Sequence, residues 1–340
     1  MRDNRIDILR FIGLAMIIFA HTNPPALLFQ IRNFDVPLMI LVSGMSFSLS
    51  YKPVESFQYY VWKRFKRLVF PVWLFLTIYF LGLYAIFPND SQLQAYKILT
   101  SFLLIDGIGY VWIIRVFLLV ALVSPFISYF SKNIKLDLNY FLILFFAFAL
   151  YEVLLYLSFP YIQKGVGRAL SLIAYYIVPY SLVFAMGLRM PSLEPRKLYS
   201  LAFISFFIFM VMGTILFLKY GRVIVTQQLK YPPSLYYFSY AIFVSTLLWL
   251  CSSHMESLIN KLFLKKLVLF IAQNSIWIYL WHIPLIKFIS ATFMTKYLLV
   301  FGFSTLITLC QVWFVTNVLL KNLGAIKSKQ TLKYCLQVDV

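Results

Sequence analysis

The sequence predicts an all-α, polytopic transmembrane bundle of about ten spans, and three observations predict it. Of 340 residues, 62% are hydrophobic and 12% charged, with a mean hydropathy of +0.85, too apolar for a soluble domain of this length. Apolar runs long enough to cross a bilayer recur from end to end. Lys and Arg collect in the short segments between those runs, as membrane topology control requires.

Taken in order, the first run, residues 7–29, begins at Asp7 and meets Pro24 and Pro25, which bend or end it. The second, 34–50, is short for a full crossing; Asp35 and Pro37 start it, and Ser43-Gly44 offers a point of close helix approach. The third, 68–87, follows the basic stretch VWKRFKRLVFP. The fourth, 110–130, carries Arg115, and the fifth, 138–158, carries Glu152. Runs at 168–188, 198–218 and 234–252 follow, then 267–288 with His282, then 297–320. With the N-terminus placed inside, the cytoplasmic segments hold 19 Lys and Arg and the outer loops 9, which favours both termini inside and an even number of spans.

Residues 1–325 read as one integral-membrane domain and 326–340 as a short cytoplasmic tail. The first run lacks a convincing small-x-small cleavage site and reads as a span rather than a leader. No loop exceeds about 25 residues, so any chemistry belongs within the bundle or at its mouths. A net charge of +19 would suggest nucleic acid in a soluble protein; here it follows from the positive-inside rule, and no nucleic-acid partner is expected. Cys251, Cys310 and Cys335 are too far apart to form a metal or redox motif, and no metal site is expected. Aromatics make up 19% of the residues and belong mostly to interfacial belts and packing.

The informative residues are polar ones in apolar surroundings. Arg10 and His21 are eleven residues apart, which on a helix is about 20° of net rotation and about 16 Å of rise, so both lie on one face. Asp7, three residues before Arg10, shares that face. Such a stripe belongs against a bundle interior or a wet cavity, although Asp7 and Arg10 also suit a cytoplasmic helix end with Arg10 snorkelling. His21 suits a general base, since a neutral imidazole is available at ambient pH. Arg64 and Arg67, at i and i+3, present two guanidiniums together, which suits a phosphate-rich ligand, an anionic lipid or a topological stop. Arg115 suits a bundle carboxylate such as Glu152, or substrate; His282 in LWHIP suits a hydrogen-bonded packing role.

The ordered set RIDILR…His21, DVPLMILVSG and KRFKRLVFP resembles the start of the integral-membrane acyltransferase-3 family, whose members include bacterial O-acetyltransferases of surface polysaccharides. Arg10 and His21 match the family's spacing of a basic residue, ten residues and a histidine; Arg64 and Arg67 match its Arg-x-x-Arg. VWIIRVFLLVALVSPF, YPPSLYYF and NSIWIYLWHIPL extend the resemblance over nearly the whole chain. Met39-Ile40-Leu41, where many members carry phenylalanines, and Arg115 are departures.

The resemblance implies an O-acyltransferase of the bacterial inner membrane. It would move an acetyl or other acyl group from cytoplasmic acyl-CoA, a co-substrate rather than a resident cofactor, to a glycan or lipid-linked glycan hydroxyl. His21 would act as base, or as a nucleophile forming an acyl-histidine. Arg10 would stabilise donor charge or orient the cavity's polar network, fixed by Asp7. Arg64 and Arg67, with Lys63 and Lys66, would hold CoA phosphates. Asp35, Arg115, Glu152 and His282, with Asp7, are substrate-contacting or supporting candidates. A transporter or flippase of lipid-linked glycan would use intramembrane Arg, His and Glu equally well.

Overall fold

The computed structural model describes residues 3–50, 56–105, 107–162 and 164–322; Cys335 and the expected tail lie outside them. Among the described residues the secondary structure is helical, with one isolated bridge between Lys230 and Pro233. Eight helices are long and apolar enough to cross a membrane, nine if one bent pair counts as a span. The protein is an all-α polytopic membrane protein.

The elements are α1 (Asn4–Ala20), α2 (Ala26–Ile31), α3 (Asp35–Ser50), α4 (Phe57–Ile86), α5 (Ala95–Phe102), α6 (Trp112–Asn133), α7 (Asp137–Ser158), α8 (Gly165–Arg189), α9 (Pro195–Tyr220), α10 (Leu235–Lys261), α11 (Lys265–Gln273), α12 (Ser275–Phe288) and α13 (Phe293–Phe314). Two boundaries differ from expectation. The first run is broken: α1 stops at Ala20, Asn23 takes a left-handed φ of 56°, Pro24 and Pro25 follow, and α2 leads toward α3. Proline lacks the N–H that would continue the ladder, and Asn tolerates the left-handed turn. The third run starts earlier, because Lys and Arg are good helix formers and VWKRFKRL extends α4 back to Phe57. Near its other end the chain bends by 81° between α11 and α12, around Asn274, whose Nδ2 donates to Phe270 O at 2.9 Å.

The chain divides into two compact units. The first comprises Met1–Ile17, Pro25–Lys52 and Leu119–Val268. Here α3 packs along α8 at a crossing made by two glycines. A Cβ on Gly44 would stand 2.3 Å from Phe184 O, and one on Gly187 would stand 2.2 Å from Leu41 O, so backbone meets backbone. In the same unit α9 lies along α10 and turns large apolar side chains outward: Phe203 is 69% and Leu218 77% exposed, a surface suited to lipid.

The second unit comprises Ile18–Pro24, Pro53–Leu118 and Leu269–Val340. In it α12 packs on α13 and α4. Trp281 donates to Gln311 Oε1 at 2.7 Å and meets Phe75 edge-on, and Trp73 donates to Phe102 O at 2.8 Å. The loop after α4 carries Asp90, which pairs with Lys287 and accepts from Gln92 N at 2.9 Å.

Two outcomes follow from this packing. Gly44→Val and Gly187→Val should each cost about 1–3 kcal/mol or more by overpacking, read as a lower thermal midpoint in detergent. Gly82→Ala, with nothing within 4 Å of its added Cβ, should leave that midpoint unchanged or slightly raised. The Lys287 ammonium, with the Gln92 N–H, holds the Asp90 carboxyl below its usual range. Its small contribution to stability is therefore present above the ordinary carboxylate pKa and lost as pH falls through the lowered value. Thermal midpoints between pH 5 and 3 should fall less steeply in Asp90→Asn than in the wild type.

Candidate active site

In the second unit, α1 ends just before His21. The His21 N–H reaches back to Ile18 O at 3.0 Å and the Thr22 N–H to Phe19 O at 3.2 Å, a tightened last turn that satisfies the orphaned carbonyls. Phe19 packs edge-on against Phe293 and Tyr297 of α13, each at 5.3 Å between ring centroids, which holds that helix end. His21 is half-buried; His282, on α12, is fully buried.

The two histidines meet. His21 Nδ1 lies 2.9 Å from His282 Nε2, with the rings stacked at 5.1 Å and 22° between planes. His282 Nδ1 is hydrogen-bonded to Tyr279 O, one turn back on α12. Tyr110 stands perpendicular to both imidazoles, at 4.9 Å from His21 and 5.8 Å from His282. The Tyr279 hydroxyl donates to Tyr110 O at 2.6 Å, so one tyrosine anchors both His282 and the segment carrying Tyr110. A half-buried imidazole held at Nδ1 is an arrangement that a general base can use. Tyr110 and Tyr279 were not legible as site residues: tyrosine is common here, and nothing in YVW or IWIYLW sets these two apart.

The same unit carries Arg64 and Arg67, one turn apart near the start of α4. Arg64 sits over the Tyr60 ring at 5.1 Å and Lys66 over Trp62 at 5.6 Å, amid stacked and edge-on rings of Trp62, Phe65, Phe70 and Trp73. Those rings brace the basic turn. Arg115 is buried in the first turn of α6, where its Nη1 donates to Ile105 O at 2.6 Å and Leu104 O at 3.3 Å. It serves the carbonyls of the turn after α5, a structural duty that its place in an apolar run did not disclose.

In the first unit, Asp7 Oδ1 accepts from Arg10 Nη1 at 2.5 Å, and Arg10 Nη2 donates to Ser46 Oγ of α3 at 2.7 Å. Asp7 is buried and Arg10 half-buried, so Asp7 fixes the guanidinium as the i, i+3 spacing predicts. Asp35 sits at the start of α3 and accepts from Val36 N at 2.8 Å, Arg32 Nη1 at 2.7 Å and Lys230 Nζ at 3.4 Å. All three charged groups are buried. Lys230 also reaches Asn33 Oδ1 at 3.3 Å, Asn33 Nδ2 donates to Thr226 Oγ1 at 2.9 Å, and Arg32 covers the Phe29 ring at 4.1 Å. Burial pushes the Lys230 ammonium below its ordinary pKa; Asp35 opposes that and Arg32 adds to it. Arg32 and Lys230 read in the sequence as ordinary loop charges. The Arg32-x-x-Asp35 spacing was the available signal. Glu152, on α7, accepts from Leu235 N at 2.8 Å and so caps the first turn of α10.

No curated protein and no solved structure matches the chain. The family model described as an acyltransferase domain matches residues 3–317, nearly the full length. The protein belongs to the integral-membrane acyltransferase-3 family and is a multi-pass membrane acyltransferase.

Proposed function

We propose that the protein transfers an acyl group, acetyl in the first instance, from cytoplasmic acyl-CoA to a hydroxyl of a surface glycan or its lipid-linked precursor. The setting is the bacterial inner membrane, with both termini in the cytoplasm. The observation that carries this reading is His21: a half-buried imidazole at a helix end, held through Nδ1 on a buried partner, in the same compact unit as Arg64 and Arg67.

In the proposed reaction His21 takes the proton of the acceptor hydroxyl while its oxygen attacks the thioester carbonyl. The C–S bond breaks, the sulfur leaves with the electron pair, and the proton held by His21 passes to it. The products are the O-acyl glycan and free CoA thiol, and the imidazole is regenerated. Direct transfer is favoured slightly over an acyl-histidine. Arg64 and Arg67 supply two fixed cations for CoA phosphates. Arg10, pinned by Asp7 and Ser46, supplies an oriented positive charge. Asp35, Glu152 and Arg115 support the scaffold.

The test is O-acetyl content of host surface polysaccharide by NMR, after deletion of the gene and its return as wild type or His21→Ala. The expected result is loss on deletion, rescue by wild type, and none by His21→Ala at equal expression. Unchanged acetylation with less polysaccharide at the surface would favour transport instead. In isolated membranes with radiolabelled acetyl-CoA, His21→Ala should reduce transfer by about 10²–10⁴-fold. Arg64→Ala or Arg67→Ala should raise KM for acetyl-CoA by roughly tenfold or more each, the loss of one charge-assisted hydrogen bond, with kcat little changed.

A further inference from the structure

We propose that His282 is a positioning residue that sets the tautomer of His21, putting the hydrogen on Nδ1 and the basic lone pair on Nε2. The inference rests on the reading of His21 as the base and adds which nitrogen does the work.

The argument is one of counting hydrogens. A neutral imidazole carries one ring N–H. His282 Nδ1 faces a backbone carbonyl, Tyr279 O, which has only lone pairs to offer, so the His282 hydrogen is on Nδ1. Its Nε2 is then an acceptor. At 2.9 Å from that nitrogen, His21 Nδ1 must be the donor, because two facing lone pairs at this distance would repel. The hydrogen of His21 is thereby committed to Nδ1. A doubly protonated His282 would be a fully buried cation, and the groups packed on it (His21, Tyr110 and Tyr279) include no anion to offset it.

The consequence for chemistry is direct. In water a histidine favours the Nε2–H form, in which Nδ1, crowded by its own backbone, is the base. His282 inverts that preference and leaves the less hindered nitrogen to receive a proton. Tyr279 extends the chain of constraint: its carbonyl orients His282, and its hydroxyl holds the Tyr110 backbone whose ring stands against both imidazoles. The pattern is that of an imidazole base whose second nitrogen is held by an acceptor, in which loss of the correct tautomer costs as much as about 10⁴-fold in kcat.

Two variants separate tautomer control from packing. His282→Gln places an amide oxygen near the original Nε2, able to accept from His21 Nδ1–H. His282→Asn keeps an amide donor near Tyr279 O and offers nothing at Nε2. The expected result is that the Gln variant turns over within roughly tenfold of wild type. The Asn variant should lose roughly 10²-fold or more in kcat at unchanged KM for acetyl-CoA.

The direct readout is ¹⁵N NMR of histidine-labelled protein in bilayers, tractable because the chain has three histidines, His21, His254 and His282. His21 should show a protonated Nδ1 and an unprotonated Nε2 in wild type and in His282→Gln, and the reverse in His282→Asn. A wild-type His21 protonated on Nε2 overturns the inference, as does an Asn variant as active as wild type. Should the Asn variant fail to fold, the wild-type spectrum decides alone. Undiminished transfer by His21→Ala would instead remove the base and leave the tautomer assignment standing.

Discussion

Hydrocarbon offers no hydrogen bonds, so each polar group in a membrane helix must find its partner within the protein. Most of the site follows from that constraint. Asp7 and Ser46 hold Arg10, the turn carbonyls of Leu104 and Ile105 take up Arg115 Nη1, and Glu152 takes up the open backbone N–H of Leu235. His282 is satisfied at both nitrogens, by Tyr279 and by His21. Arg10 and His21 are half-buried where Asp7, Arg115 and His282 are buried, and these two carry the proposed chemistry.

The Arg32–Asp35–Lys230 group shows the constraint at its most demanding. Two cations share one carboxylate, and all three are withdrawn from solvent. Attraction offsets desolvation in such a group only with further hydrogen bonds, and here the Val36 N–H donates to Asp35, Asn33 Oδ1 accepts from Lys230, and the face of Phe29 covers the Arg32 guanidinium. The segment before α3 and the segment before α10 are thereby tied together, with Asn33 to Thr226 as a second tie. Removing one member would leave a buried charge uncompensated, a larger penalty than the pair itself is worth.

The fold class was legible because apolar length and loop charge are properties of composition along the chain, and the membrane reads the same properties. Asp7 with Arg10, and Arg64 with Arg67, were legible as pairs because helical spacing alone brings them together. What the sequence withheld was everything that depends on distant segments. His282 is 261 residues from His21, and no local pattern announces that α12 brings it against the end of α1. Arg115 and Glu152 looked like partners because both are charges in apolar runs. Each finds backbone groups, and backbone groups leave no mark in a sequence. The end of α1 was signalled by Pro24 and Pro25, but the left-handed turn at Asn23, two residues past His21, was not.

That turn carries a consequence for how such a site can be adjusted. His21 sits just past the last residue of α1, tied back to it by its N–H on Ile18 O, where the chain turns away through Thr22 to Pro25. A residue inside a packed helix can be re-aimed only by rotating every neighbour with it. One mounted beyond the last turn can be swung by changing a few small groups while the buried helix stays as it is. Substitutions from Thr22 to Pro25 can therefore change the surroundings of the imidazole without rebuilding the buried helix that precedes it.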